Sequence, residues 1–318
     1  MLQQTTARTA ARFYAAFVSR FGSLEALAAA SEDQVLTLWS GLGYYHRARN
    51  LHRAAGHLLR THGGVFPRTL EAALAVPGVG LYTASAILSI AYGQPLPVVD
   101  GNVRRVLARL FCLSGPAWRR DGPFYNLAEE LLDRQAPGDW NQALMELGAT
   151  LCTPRRPSCP ACPLRDSCEA RLEGHAEALP EGKTRRLSVS VTVIAALVEK
   201  AGRVLLVRRA DGPLLGRLWE VPQTSLDCLD PPDLLHEARL RHGLELELGE
   251  LAVVARHAVT HRRIRAEGYR ARVMGNVPAD PERFRWVSAG ELGSLPVSSL
   301  TRKLVGGLAS PQRPLPLG

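Results

Sequence analysis

The 318-residue chain carries 39 lysines and arginines against 30 aspartates and glutamates, a formal net charge of +9, and 46% of its residues are hydrophobic. This composition excludes a disordered chain, and no apolar run approaches the roughly 18 to 20 residues that a membrane span needs. The positive balance suits a polyanionic partner. No signal peptide precedes the first predicted helix, so we expect a cytoplasmic protein without a membrane anchor.

The first half of the chain is predicted to be helical, because apolar residues recur at helical spacing between glycine and proline breaks. The predicted helices span residues 6–21, 32–39, 45–60, 68–75, 81–92, 102–112, 123–135 and 139–150. The chain opens with MLQQTTARTAARFYAAF, almost inside the first of these helices. Either Thr5 or Thr6 caps a helix that begins here, or a segment that normally precedes Met1 is missing.

The second half shows a different periodicity. Alternating β-branched residues predict a hairpin over 187–209, and a helix over 232–242 and strands near 251–258 and 268–276 follow. The sequence therefore predicts a mainly α domain at 1–170, a polar linker at 171–187 and an α+β domain at 188–318.

Four cysteines, Cys152, Cys159, Cys162 and Cys168, form a C-x6-C-x2-C-x5-C pattern at the end of the helical half. Disulfides are disfavoured in a cytoplasmic chain, whereas four thiolates suit either zinc or a 4Fe-4S cluster. We favour the cluster, because zinc sites usually join two short cysteine knuckles and this loop has a single C-x2-C. Cys112 and Cys228 are isolated and are expected to be buried apolar side chains.

A glycine turn in LAVPGVGLYTASAIL separates two predicted helices. Gly78 and Gly80 allow close approach of a ligand, and the free N–H groups of the following helix favour an anion, although a plain helical hairpin would look the same. About twenty residues later Asp100 begins another helix, either as a simple N-cap or as a functional carboxylate.

Taken together, the basic helical half, the glycine turn, the aspartate and the cysteine loop resemble the helix-hairpin-helix DNA glycosylases that carry an iron-sulfur loop. Relatives that resemble endonuclease III place a nucleophilic lysine where this chain has Tyr82. Lysine occurs here only at 183, 200 and 303, which favours a glycosylase without lyase activity. The strings LQQT, GLGYYHRARNLH and NQALMELGA resemble motifs of adenine DNA glycosylases of the MutY type.

This resemblance implies a site and a substrate. Asp100, with Tyr82 beside it, would stabilise the positive sugar left by departing adenine, and Gln142 would contact the extruded base. Further DNA contacts are implied for Gln4, Thr5, Leu42, Tyr44, Gly78, Gly80 and Asn102. The implied partner is double-stranded DNA with adenine opposite 8-oxoguanine or guanine, bound by a monomer at the nucleoid. Five arginines could either bind backbone phosphates of the DNA or lie at the surface as solvated charges: Arg47, Arg49, Arg53, Arg104 and Arg105.

The C-terminal half resembles a Nudix domain with an eroded catalytic box. In HEARLRHGL, Glu237 and Gly243 match the box, whereas Leu240 and Arg241 stand where paired glutamates would hold Mg²⁺. The resemblance implies a module that reads 8-oxoguanine. Val259, Thr260 and His261 match the loop that performs this reading in the family, where it is Phe-Ser-His.

The resemblance also bears on the catalytic activity of this chain. In the resembled family a glutamate two residues before the MLQQT methionine protonates adenine, and that position would fall ahead of Met1, so we expect weak or absent excision. Two alternatives stay open: an endonuclease III-like glycosylase and lyase, and a mispair-binding protein that does not cut.

Overall fold

The chain forms two compact units. The computed structural model describes residues 1–5, 7–113, 121–180, 188–212, 215–224, 233–259 and 261–308. Residues 57–185 make one unit, here called the central unit, and residues 1–56 and 186–318 together make the other, the discontinuous unit. None of the described helices is both long and apolar enough to span a bilayer.

The central unit is helical, as the sequence predicts. Its described helices are the C-terminal end of α4 (His46–His62), α5 (Leu70–Leu74), α6 (Leu81–Tyr92), α7 (Gly101–Leu110), α8 (Gly122–Glu130), α9 (Pro137–Thr150) and α10 (Glu169–Leu172). Two short 3-10 turns, Cys159–Ala161 and Arg165–Ser167, lie within the cysteine loop. The cysteine loop therefore joins α9 to α10.

Glycines let α9 approach its neighbours closely. A Cβ at Gly138 would stand 2.8 Å from the carbonyl oxygen of Ser89 in α6, and one at Gly148 would stand 2.7 Å from Cβ of Asn102 in α7. Because contacts this short are not tolerated, any larger residue would push α9 outward. The two glycines thus fix the distance of α9 from both helices.

Asn141 connects α9 to the segment that leads into α7. Its side chain is 2% exposed; Oδ1 accepts a hydrogen bond from the backbone N–H of Val98 at 3.1 Å, and Nδ2 donates to the Leu96 carbonyl at 2.9 Å and to Ser89 Oγ at 3.0 Å. Buried amides bonded on both sides rigidify their surroundings. The chain therefore enters α7 along a fixed path.

The discontinuous unit begins with α1 (Ala7–Arg20), α2 (Leu24–Ala29) and α3 (Glu32–Trp39), followed by the first part of α4. Ser31 and Gln34 form a capping box that begins α3 where the sequence predicts it. Helix α2 was not predicted, because six residues are too short to show a helical period. Phe17 and Trp39 pack in one core with Leu218 of the C-terminal half.

A mixed six-stranded sheet forms the rest of this unit. Its strands are β1 (Val189–Lys200), β2 (Arg203–Arg208), β3 (Trp219–Glu220), β4 (Leu246–Val259), β5 (Arg262–Val273) and β6 (Phe284–Val287). The order is β3-β2-β1-β5-β4, with β6 also paired to β2; β1 and β5 are parallel and the other pairs are antiparallel. The predicted hairpin is confirmed, and both later strands are displaced by a few residues.

Both faces of the sheet are covered by helices. Val191 and Val193 point into a core that includes α12 (Ser299–Leu308), whereas Ala196 and Val198 point into a core that includes α11 (Leu234–His242). A strand buried on both faces reads as an apolar run, which explains the sequence VIAALV in β1.

His242 at the end of α11 makes the stability of this unit depend on pH. Burial, followed by the charges of Arg283 and Arg241, lowers the pKa of His242 from 6.5 to about 4. Because the unfolded chain then binds the proton more tightly, stability is full above pH 6.5 and is lost as the pH falls from 6.5 towards 4, by about 3 kcal/mol at most.

We expect His242→Gln to remove most of this loss. Urea unfolding at pH 7 and pH 4.5 measures it, with His236→Gln, an exposed position on the same helix, as the matched control. An equal loss in the wild type and in His242→Gln would contradict the assignment.

Candidate active site

The glycine turn of the central unit is a type II turn between α5 and α6. The backbone N–H of Val79 donates to the carbonyl of Val76 at 3.0 Å, Pro77 occupies the second position, and Gly78 has φ 76° at the third. This φ favours glycine. Gly80 begins α6 with open space around its Cα, so the first N–H groups of the helix lie beside an unobstructed backbone. An anion fits this place.

Asp100 caps α7. Its Oδ1 accepts hydrogen bonds from the backbone N–H groups of Asn102 at 2.8 Å and Val103 at 2.7 Å, and its Oδ2 accepts one from Nδ2 of Asn102 at 3.1 Å. The prediction that Asp100 is the N-cap of this helix is therefore confirmed. The three bonds also orient the carboxylate and leave it acceptor capacity for a further partner, because a carboxylate offers about four acceptor sites.

Tyr82 belongs to the same part of the central unit. Burial, followed by the negative charge of Asp100, raises the pKa of the Tyr82 phenol, which keeps the hydroxyl protonated. That hydroxyl lies 3.8 Å from Sδ of Met145 in α9. Gln142 stands one turn earlier on α9, is exposed, and donates to the Gly138 carbonyl at 3.1 Å. Asp100, Tyr82 and the α9 face thus share one unit.

A chain of hydrogen bonds runs from Asp100 to the cysteine loop. Asn102, which donates to Asp100, accepts at Oδ1 from Nη2 of Arg105 at 3.0 Å, and Nε of Arg105 donates to the Cys152 carbonyl at 2.7 Å. Nη2 of Arg105 also donates to the Gly148 carbonyl at 2.5 Å. Arg105 therefore acts on the backbone of the loop and on the partner of the carboxylate, and its guanidinium is not a free phosphate ligand.

Arg109, one turn further along α7, holds the cysteine loop from inside. It is 2% exposed; Nη1 donates to Cys152 Sγ at 3.2 Å and to the Thr153 carbonyl at 2.8 Å, and Nε donates to the Leu179 carbonyl at 2.7 Å. The sequence shows an arginine here but gives no sign of its burial. Arg109 ties the start of the loop, and the chain that follows α10, to α7.

The four cysteines line one small cavity, together with Arg109, Arg165 and Arg171. All four are free thiols. Tetrahedral zinc with Zn–S bonds of about 2.3 Å would hold its sulfurs roughly 3.8 Å apart. Within the described part of the chain, however, the only three potential ligands with all donor atoms within 4.8 Å of one another belong to a different group. No three of the four thiol sulfurs therefore lie that close together.

In the discontinuous unit, Arg47 joins the N-terminal segment, residues 1–5, to the turn that contains Gly41 and Gly43. It is buried; Nη1 donates to the carbonyls of Met1, at 2.9 Å, and Gln3, and Nη2 donates to Oγ1 of Thr5 at 2.9 Å and to the Gly43 carbonyl at 3.3 Å. The expectation of a phosphate contact or a surface position is therefore wrong for Arg47. Its role is to bring the LQQT segment beside the turn.

The side chains carried by these two segments differ in exposure. Gln4 is exposed and has φ 55°, and Tyr44 is 42% exposed with φ 49°. Leu42 and Tyr45 are buried in the core of the unit, each 6% exposed. The structure thus presents Gln4 and Tyr44 at the surface and places Leu42 inside.

The remaining arginines also divide into two kinds. Arg49 is buried and donates from Nη1 to the Gly216 carbonyl at 2.7 Å, so it is structural. Arg104 pairs with Asp121 and lies over the Phe124 ring, 4.5 Å from its centroid. Arg53 is exposed. The exposure of each side chain therefore distinguishes structural arginines from surface arginines, which the sequence alone does not.

The eroded Nudix box carries an internal ion pair. Arg241 donates from Nη2 to Oε1 of Glu237 at 3.0 Å, one turn apart on α11, and Leu240 is 71% exposed. The arginine therefore neutralises the one glutamate that the box retains. This arrangement opposes binding of Mg²⁺.

The loop between β4 and β5 carries the residues expected to read 8-oxoguanine. Val259 ends β4, and the backbone carbonyl of His261 accepts from the N–H of Val189 at 2.9 Å. Thr260 lies outside the described residues, as does Cys228. The described part of the loop is thus anchored to β1.

Comparison with known proteins identifies the family. A model described as HhH-GPD superfamily base excision DNA repair protein matches residues 1–120, and a NUDIX domain model matches residues 193–306. The chain is 32% identical to the adenine DNA glycosylase of Homo sapiens, covering 96% of this chain and 66% of that protein. It is 34% identical to the enzyme of Mus musculus, covering 96% and 69%.

A solved structure agrees with this result for the helical part. A thermostable thymine-DNA glycosylase is 29% identical with a TM-score of 0.50, over 54% of this chain and 80% of that one. The chain spans about two thirds of the length of its mammalian relatives. With its hairpin turn, its capped aspartate and its Nudix domain, the chain belongs to the adenine DNA glycosylase family of base-excision repair.

Proposed function

We propose that this chain is a monofunctional glycosylase that removes adenine opposite 8-oxoguanine or guanine in double-stranded DNA. The observation that carries the proposal is the carboxylate of Asp100, held by three N–H donors at the start of α7 and near Tyr82. Lys183 is the one lysine among residues 57–185 and lies outside the described residues, so the described part of the central unit offers no lysine amine to form a Schiff base with the sugar. The alternative of a lyase is disfavoured for that reason.

The chemistry follows from charge. When the bond between sugar and adenine breaks, its electron pair leaves with the base, which takes up a proton. The sugar becomes positive until a water molecule adds to it and loses a proton. A fixed negative group beside the sugar stabilises that state more than it stabilises the substrate, and it needs no reorganisation at the moment of cleavage. The N–H donors of Asn102 and Val103 hold Asp100 in place for this role, and the protonated Tyr82 hydroxyl stands in the same unit as a neutral donor.

DNA contact is assigned to both units. The open backbone at Gly78 and Gly80 suits a phosphate, as the free N–H groups of α6 are there. Extruding a base costs a few kcal/mol, which an inserted side chain partly offsets. Tyr44 is exposed on a turn with positive φ and suits this insertion. Gln4 is exposed on the N-terminal segment that Arg47 holds. Leu42 would have to leave its core to take part.

We assign the four-cysteine cavity to a 4Fe-4S cluster ligated by Cys152, Cys159, Cys162 and Cys168. Three arginines line the cavity, and Arg109 donates directly to the sulfur of Cys152, which suits a ligand set with net negative charge. When bound, the cluster would cross-link the loop. Arg105 and Arg109 then hold α7 against that loop.

The Nudix domain is assigned to recognition of the base opposite adenine, since its box pairs Glu237 with Arg241. The glycosylase function is assigned to 1–170, the linker to 171–187 and recognition to 188–318, in a monomer that acts on cytoplasmic DNA. Deleting 188–318 would be a poor test, because Leu218 packs in the same core as Phe17 and Trp39. Point variants such as His261→Ala are better suited.

The catalytic proposal is tested by single-turnover release of adenine from duplexes carrying A opposite 8-oxoguanine, G or T. We expect weak release from the first two, no borohydride-trapped adduct, and a further loss of at least about a hundredfold in Asp100→Asn, because the stabilising charge is gone. Binding of the variant to the same duplexes should persist.

Asp139→Asn, an acidic position in the first turn of α9, is the control and should keep the wild-type rate. Tight binding of the mispair by the wild type without any release would contradict the proposal and support a binding protein. A trapped adduct would support the lyase.

The cofactor proposal is tested on anaerobically purified protein. We expect about four irons per chain and the Mössbauer spectrum of a 4Fe-4S cluster, and loss of both in Cys159→Ser. Stoichiometric zinc bound by four sulfurs, with no iron, would contradict the assignment.

A further inference from the structure

A second group of metal-type ligands lies near the cysteine loop in the central unit. Cys112 follows α7, and Glu173 and His175 follow α10. The prediction that Cys112 is a buried apolar side chain is wrong, since it is half-buried and its sulfur faces two polar side chains. None of the three takes part in the function proposed above.

The three donor atoms form a compact triangle. Sγ of Cys112 lies 3.1 Å from Nε2 of His175 and 3.3 Å from Oε2 of Glu173, and these last two atoms lie 3.3 Å apart. Metal bonds of about 2.3 Å to sulfur and 2.0–2.2 Å to nitrogen or oxygen place the donors of a tetrahedral zinc roughly 3.4–3.6 Å apart. Small side-chain movements would bring the triangle to that size.

The types of donor also select the ion. A thiolate and an imidazole are borderline-soft ligands that favour zinc over Mg²⁺ or Ca²⁺, which prefer oxygen. The side chains of His175 and Glu173 are 39% and 56% exposed, so the fourth position faces solvent. Zinc sites with three protein ligands hold a water molecule or a substrate in the fourth position, and this arrangement matches them.

The backbone presents these donors from two directions. Cys112 has φ 47°, an uncommon conformation for a residue with a side chain, and the N–H of Leu113 next to it donates to the Ala108 carbonyl at 2.8 Å. The N–H of His175 donates to the Ala170 carbonyl at 2.9 Å. The turn after α7 therefore carries Cys112, and the turn after α10 carries Glu173 and His175.

We propose that Cys112, Glu173 and His175 bind one Zn²⁺ and so clamp the end of α7 to the segment that leaves the cysteine loop. The site is separate from the four cysteines of the loop and does not depend on their cluster or on glycosylase activity. Its ion exchanges with solvent through the open position.

X-ray absorption at the zinc K-edge, measured on the purified full chain, tests the proposal, because iron does not contribute to the zinc spectrum. After dialysis with one equivalent of Zn²⁺ at full iron content, we expect one zinc per chain, with one sulfur at about 2.3 Å and the other ligands nitrogen or oxygen near 2.0–2.2 Å. Cys112→Ser and His175→Gln should each weaken zinc binding at least about tenfold.

Glu177→Gln, an exposed acidic position two residues further on, is the matched control and should bind zinc like the wild type. His175→Gln changes a partly exposed side chain, so it remains informative if Cys112→Ser does not fold. Zinc held by four sulfurs with a matching loss of iron would overturn the proposal, as would unchanged zinc binding in His175→Gln.

Discussion

The N-terminus of α7 is the constraint on which the candidate active site depends. Asp100 accepts both the first free N–H groups of that helix and the amide of Asn102, so the group that would face a positive sugar is also the group that begins the helix. An N-cap contributes about 1 kcal/mol to stability, and hydrogen bonds to a charged acceptor contribute about 1.5–3 kcal/mol each. Position and function of this carboxylate are therefore set by the same contacts.

The other end of α7 is fixed by arginines rather than by apolar packing alone. Arg109 is almost fully buried, and each backbone carbonyl and sulfur that it contacts belongs to the cysteine loop or to the chain just after it. Each hydrogen bond to a charged group contributes about 1.5–3 kcal/mol, so this arrangement favours an ordered loop. Gly148 allows α9 to approach Asn102 closely enough for Arg105 to reach both. The loop thus reaches Asp100 through three consecutive contacts.

In the discontinuous unit, the first helices of the chain share a core with its C-terminal half. Besides Leu218 in that core, partly buried ion pairs join Glu32 to Arg217, at 2.8 Å, and Asp33 to Arg208. Buried Arg49 adds a bond to the Gly216 carbonyl. The segments proposed to insert Tyr44 into DNA and to read the opposite base consequently belong to one compact unit, although more than 200 residues separate them in the sequence.

Local signals predicted much of this fold. Helices α3 and α6 have their expected bounds because Ser31 caps one and Gly80 and Gly93 delimit the other. The packing of distant segments was not predictable from the sequence. No local sequence pattern shows that residues 1–56 pack with the C-terminal half, because these contacts join residues far apart in the chain.

Burial was equally hidden from the sequence. The sequence predicts Arg47 at a phosphate or at the surface and Cys112 in the core, and it gives no sign that Arg109 is buried, because residue type gives the average environment and not the particular one. The four cysteines, Asp100 and Tyr82 could be singled out because their chemistry depends on residue type and spacing. The hydrogen bonds that connect them required coordinates.

The most direct test of this account is the single-turnover rate of adenine release in Arg105→Gln, measured at full iron content and saturating DNA. If the chain from Cys152 through Arg105 and Asn102 positions Asp100, the rate falls at least about tenfold while DNA affinity is unchanged, since small displacements of a catalytic group lower the rate steeply. Arg134→Gln, an exposed position of the same unit, should keep the wild-type rate. A wild-type rate in Arg105→Gln with its iron intact would contradict the account.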